Sequence, residues 1–290
     1  MKQLCILLCL FSLLFLFAGC QSQSPETDIV ATTLPVYEFT QMLCQGTDLR
    51  VTRLVNESVS CLHDYSLTVS HVRAVESAKV VVLSGGGLED FMADLLDGKE
   101  IIDASNGIGL HCLEHTHDGH HHEEDAHFWL SPAHAKSMAD NICEGLVAFF
   151  PQYAETFRSN LPQLHARLDA LPAYGQAQLS NLDTRNLITF HDGFSYFAEN
   201  FDLTILMAVE EESGSEISAQ QRKELITLVR CYNLPAIFTE RNGSTASAEV
   251  ICAETGASMY VLDMAMSGNS YFDAMYQNID TIKEALGCVQ

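Results

Sequence analysis

The chain has 290 residues, of which 47% are hydrophobic and 18% charged, and its 15 Lys and Arg against 38 Asp and Glu leave a formal charge of −23. That balance excludes nucleic acid as a partner, because phosphate binding needs a basic face. It suits a protein that handles cations, as it also suits any acidic soluble surface. The length allows two domains, each with its own core.

Met1-Lys2 is a short basic start, and Leu4 to Phe17 is almost wholly apolar. The run is too short to span a bilayer comfortably and ends in small residues, as a signal peptide does. Residues 1–19 therefore read as a lipoprotein signal peptide. Leu16-Phe17-Ala18-Gly19-Cys20 has the form of a bacterial lipobox, with Phe17 where Leu is usual. Cys20 is expected to become the lipidated N-terminus, with polar residues 20–27 as the tether. The expected location is extracytoplasmic, anchored by lipid to the cell membrane in a periplasm or on an outer face. Seven further cysteines follow: Cys44, Cys61, Cys112, Cys143, Cys231, Cys252 and Cys288. An odd number in an exported chain leaves at least one free thiol, and the lack of any CxxC argues against a zinc ribbon. Export permits disulfides, so Cys288 could staple the last helix to Cys231 or Cys252.

Asp28 to Thr33 reads as a first buried strand, Pro35 to Cys44 as a helix and Leu49 to Leu54 as an alternating strand. Thr68 is placed to cap a helix running to Ala78. Lys79 to Ser84 is a continuous apolar run typical of a parallel strand covered on both faces. Gly85-Gly86-Gly87 breaks it, and no Gly-Lys-Ser/Thr follows to make a phosphate loop. A helix is expected over Leu88 to Leu96. Ser131-Pro132 starts another, with Ser as the cap and Pro at the first helical position, and it runs to Phe150. From Pro151 a second long helical stretch runs to about Leu182, interrupted only by Pro162, Pro172 and Gly175. Strands and helices then alternate. Strands are expected at Asn186–Phe190, Leu203–Val209, Ala236–Thr239 and Ser258–Leu262. Helices are expected at Gly193–Asn200, Ser218–Cys231, Ser244–Thr255 and Tyr271–Leu286. This βαβα order on both sides of a long helix specifies an α/β protein of two parallel-sheet lobes. The N-terminal lobe takes residues 28–150, the linking helix 151–183 and the C-terminal lobe 184–290. Acidic residues 210–216 read as a surface loop, and no short internal repeat is present.

Imidazoles and carboxylates crowd the stretch from His111 to His134. A His run with interspersed acids is a metal-binding composition, and no packed core could supply partners for so many rings at once. In open α/β sheets, ligands bind beyond the carboxyl ends of the strands. Four ionisable residues lie at such positions: His63, His127, His191 and Asp263. Three imidazoles and one carboxylate suit tetrahedral Zn²⁺. A lone His at a strand end more often serves a structural hydrogen bond, so their joint placement carries the weight.

The segments His63-Asp64-Tyr65, Asp125-Ala126-His127-Phe128-Trp129-Leu130-Ser131-Pro132, Thr189 to Phe197 with His191 at its head, and Val261-Leu262-Asp263 resemble the zinc-specific solute-binding proteins of bacterial metal ABC transporters. The resemblance runs through the whole mature chain. It implies that His63, His127, His191 and Asp263 ligate Zn²⁺ in a cleft between two lobes joined by one long, rigid helix. Glu240, after Phe238-Thr239, matches a common acidic position and is read as supporting a ligand from behind. Imidazole at position 191, where manganese binders carry a carboxylate, favours zinc over the harder ion. Leu62, Ala126 and Met264 depart from residues frequent in that family. The six earlier imidazoles, His111, His115, His117, His120, His121 and His122, form a loop (111–126) read as an accessory zinc collector.

The implied partners are the zinc ion, an ABC permease with its ATPase, and the membrane through Cys20. The protein itself is expected to be monomeric and to do no covalent chemistry. An exported zinc hydrolase is the rival reading. It lacks a His-Glu-x-x-His, and three His with one Asp would close the position a catalytic water needs. A manganese or other divalent-metal binder and a metal-binding adhesin are the remaining alternatives.

Overall fold

A computed structural model describes residues 27–56, 62, 65–111, 124–209 and 217–287. The signal peptide, Cys20, His63, the loop imidazoles His115 to His122 and the acidic run 210–216 lie outside these residues.

The first half forms a parallel sheet of β1 (Ile29–Ala31), β2 (Val51–Arg53), β3 (Val80–Leu83) and β4 (Ile101–Asp103), in the order β2-β1-β3-β4. Residues of β1 and β3 are wholly buried, as expected where helices cover both faces of a parallel sheet. The helices of this half are α1 (Leu34–Leu43), α2 (Val69–Ser77), α3 (Ala93–Leu96) and α4 (Pro132–Phe149). Thr68 caps α2 by accepting from His71 N, and Ser131 caps α4 by accepting from His134 N.

Two readings change here. The helix expected over Leu88–Leu96 shrinks to a 3₁₀ turn at Asp90–Met92 followed by the single turn of α3. Glu89 ties the start of that segment down, because its carboxylate accepts from Ser84 N (2.8 Å), Gly85 N (3.0 Å) and Thr32 Oγ1 (2.5 Å). Gly85 stands at φ +85°, and a Cβ there would meet Asp103 Oδ1 at 2.0 Å. Strand β4 went unread because three residues, exposed on alternate positions, carry no apolar run.

A 3₁₀ turn at Pro151–Tyr153 leads into α5 (Ala154–Gln178), a continuous helix of 25 residues. At 1.5 Å per residue it is about 37 Å long. Pro162 and Pro172 lie inside it without ending it. Its buried residues, Phe157, Leu164, Leu168, Leu171 and Gly175, mark one helical stripe.

The second half repeats the architecture. Its strands are β5 (Asn186–Thr189), β6 (Thr204–Ala208), β7 (Ala236–Glu240) and β8 (Ser258–Leu262), parallel in the order β6-β5-β7-β8. Its helices are α6 (Ser195–Asn200), α7 (Ala219–Cys231), α8 (Ala246–Thr255) and α9 (Tyr271–Leu286). Helix α5 packs against α1 and α4 of the first half and α9 of the second. One apolar cluster therefore holds Ile29, Leu168 and Leu187 alike.

Among the described residues, no helix is long and apolar enough to cross a membrane. Cys44, Cys143, Cys231 and Cys252 are free thiols. Cys288, the thiol that could staple the last helix, lies outside the described residues.

Candidate metal centre

His127 sits between β4 and α4, on a segment locked by its own sequence. Phe128, Trp129 and Leu130 are fully buried in a 3₁₀ turn, and the capped, Pro-initiated α4 follows at once. Asp125 fixes the imidazole twice, accepting from His127 N and facing Nδ1, each at 2.9 Å. The other half bears on the same carboxylate: Ser195 Oγ donates to Asp125 Oδ2, and Tyr196 Oη donates to its carbonyl at 3.0 Å. Burial on its own would raise the Asp125 pKa, but the hydrogen bonds from His127 and Ser195 hold it below the usual value.

His191 follows β5. Its Nδ1 lies 3.2 Å from Oε2 of Glu240, the last residue of β7, and both side chains are at most 3% exposed. The space for that carboxylate comes from Gly243, where a Cβ would meet Glu240 Oε1 at 2.8 Å. The two imidazoles meet edge to face, with centroids 5.1 Å apart at 89° and the two Nε2 atoms 3.3 Å apart. Gly193 allows this approach, since a Cβ there would fall 2.8 Å from His191 Cδ2, 3.0 Å from His127 Cγ and 2.5 Å from Met264 Cε.

A ring nitrogen that faces a carboxylate keeps its proton there, which fixes the tautomer and leaves the other nitrogen with its lone pair. Both Nδ1 atoms lie beside carboxylates, and the two Nε2 atoms face each other in a buried site. With the Nδ1 protons held by the carboxylates, both Nε2 lone pairs would be open to one cation. Zn–N bonds of roughly 2.0–2.1 Å set the edge of a tetrahedron at about 3.3–3.4 Å, which is the separation found. The donor set fits zinc.

Asp263 follows β8, and the methyl of its neighbour Met264 reaches Gly193. Its Oδ1 accepts from Ala265 N at 2.8 Å, and its Oδ2 lies 2.7 Å from Arg241 Nε. Asn278 holds the backbone on both sides, accepting from Asp263 N and donating to its carbonyl. Trp129 Nε1 donates to Met264 O at 2.8 Å, so the segments bearing His127 and Asp263 are tied directly. His127 and His191 are thus brought together, while Asp263 is engaged by Arg241. Among the described residues, no group of three His, Cys, Asp or Glu is placed to hold a metal ion. His63 lies outside them.

Of the loop imidazoles, His111 is described. It stacks on Tyr196 at 4.2 Å, its Nε2 lies 3.3 Å from Glu199 Oε2, and its backbone N donates to Tyr196 Oη. It therefore roots the loop on the second half. Sequence reasoning assigned no role to Asp125, Gly193, Tyr196 or Arg241. The spacing Asp-x-His at 125–127 was a usable signal for the first. The other three depend on which strands become neighbours.

Comparison with known proteins agrees with this geometry. The chain is 28% identical to a putative metal-binding protein of Treponema pallidum, over 98% of this chain and 97% of that one. It is 29% identical to the zinc-binding lipoprotein AdcA of Streptococcus pneumoniae serotype 4, over 98% of this chain, and it spans 61% of the AdcA length. The crystal structure of ZnuA superposes with a TM-score of 0.79 at 28% identity, covering 90% of this chain and all of that one. The family described as zinc-uptake complex component A, periplasmic, matches residues 29–285, and this chain belongs to it.

Proposed function

We propose that this protein captures Zn²⁺ outside the cytoplasm and delivers it to an ABC importer, a permease with its ATPase, from a lipid anchor on Cys20. The observation that carries this reading is the pair of carboxylate-backed imidazoles whose Nε2 atoms face each other at 3.3 Å. His127 and His191 supply two ligands, and His63 and Asp263 complete the tetrahedron. Imidazole donors favour zinc over manganese, which prefers oxygen. Family membership and the zinc-binding relatives support the same cargo.

The loop at 111–126 collects zinc weakly and holds it near the cleft. No covalent step is involved, since a closed ligand sphere leaves no position for an activated water. Each imidazole must be neutral to bind, so affinity falls as pH drops through the histidine range. Competition against a chromophoric chelator tests the reading on the full chain. His191→Ala is expected to abolish the tight 1:1 component and leave the weak loop sites. A tight component that survives His191→Ala would sink the assignment.

A further inference from the structure

The end of β7 places two residues of opposite charge behind two different ligands. Glu240 closes β7 and is buried, while Arg241, the first residue of the turn that follows, is exposed. Glu240 is buried against His191 Nδ1. The Arg241 side chain is 47% exposed, and its Nε lies 2.7 Å from Oδ2 of Asp263, which is 13% exposed. Two further bonds aim the guanidinium there. Arg241 N donates to Leu262 O at 2.8 Å, fixing the backbone beside β8, and Nη2 donates to Gln277 Oε1 at 3.3 Å. With Ala265 N on Oδ1, both oxygens of Asp263 already have a donor.

The two arrangements act in opposite directions on a bound cation. A carboxylate behind a ligating imidazole raises its basicity and strengthens its bond to the metal. A guanidinium on a carboxylate draws away the lone pair the metal would use and sets a fixed positive charge beside a dication. We infer that Arg241 competes with zinc for Asp263, weakening the fourth ligand so that the captured ion can be released. This rests on Asp263 being a ligand, as proposed above. The exposed guanidinium can exchange Asp263 for water, so capture requires only a side-chain movement, and its return to Asp263 favours release.

The test compares four full-length proteins: wild type, Arg241→Gln, Asp263→Asn and the double variant. Zinc affinity is read by chelator competition, and the release rate after addition of excess chelator. Loop sites are common to all four and drop out of the comparison. Arg241→Gln is expected to bind zinc about tenfold more tightly, mainly through slower release. Asp263→Asn should weaken binding, and the double variant should match Asp263→Asn alone. Arg241→Lys, which keeps the charge but loses the planar fork, should fall between wild type and Arg241→Gln, and it serves if Arg241→Gln folds poorly. Unchanged or weaker binding in Arg241→Gln, with Asp263→Asn weakened, overturns the competition alone. Wild-type affinity in Asp263→Asn overturns the ligand assignment and the competition with it.

Discussion

Glu240→Gln keeps the shape behind His191 and removes the charge. Loss of a carboxylate that orients a ligating imidazole costs about 10–100-fold in metal affinity, and we expect a loss in that range by chelator competition. Glu89 is a further buried carboxylate. Burial pushes Glu89 up from its ordinary 4.5 to about 7, against the hydrogen bonds from Thr32, Gly85 and Ser84 that lower it. A carboxyl raised in the folded state costs nothing below its unfolded pKa, where it is neutral in both states. The penalty accumulates as pH rises from about 4.5 to 7, reaching roughly 3 kcal/mol. In urea denaturation, the stability of wild type minus that of Glu89→Gln should therefore fall across this window; parallel pH curves would contradict it. At this scale, the positions of His191 and Asp263 after strands and of His127 before a capped helix were legible from the sequence. Of their partners, Glu240 was read only through the family resemblance and Arg241 not at all: Glu240 meets His191 across 49 residues and Arg241 meets Asp263 across a neighbouring strand, contacts that strand order creates.

Among the elements, α9 and β8 fall where apolar periodicity and caps put them, at Tyr271–Leu286 and Ser258–Leu262. The failures are short. Strand β4 and the truncated helix after Leu88 are set by a neighbouring strand and by the Glu89 side chain, neither visible in a local window. The linking helix α5 runs through both of its prolines, and its tightest constraint lies at Gly175. A Cβ there would come within 2.2 Å of Phe201 Cε1, a buried ring packed on Phe197 at 4.6 Å. Ala is worth about 1 kcal/mol over Gly in a free helix, but overpacking of this kind costs about 1–3 kcal/mol. Gly175→Ala should therefore destabilise the protein in chemical denaturation despite its better helix propensity, and a net gain in stability would show that α5 can shift away from Phe201.

For the molecule as a whole, two sheets of the same strand order share one apolar cluster through α5, and Trp129 ties them again at the metal centre. Its indole donates to Met264 O, and its carbonyl accepts from Tyr271 Oη at 2.7 Å. The segments bearing His127 and Asp263 are thus framed by fixed backbone. Two parallel lobes were readable from the βαβα order, whereas the bonds across the cleft were not. The proposed function requires that one zinc ion be held by three imidazoles and a carboxylate. X-ray absorption at the zinc edge, on the full chain loaded with one equivalent, tests it most directly. Three imidazole nitrogens and one oxygen at roughly 2.0–2.2 Å are expected, with the imidazole scattering reduced in His191→Ala. A sulfur shell at about 2.3 Å, or a spectrum unchanged in His191→Ala, would contradict it.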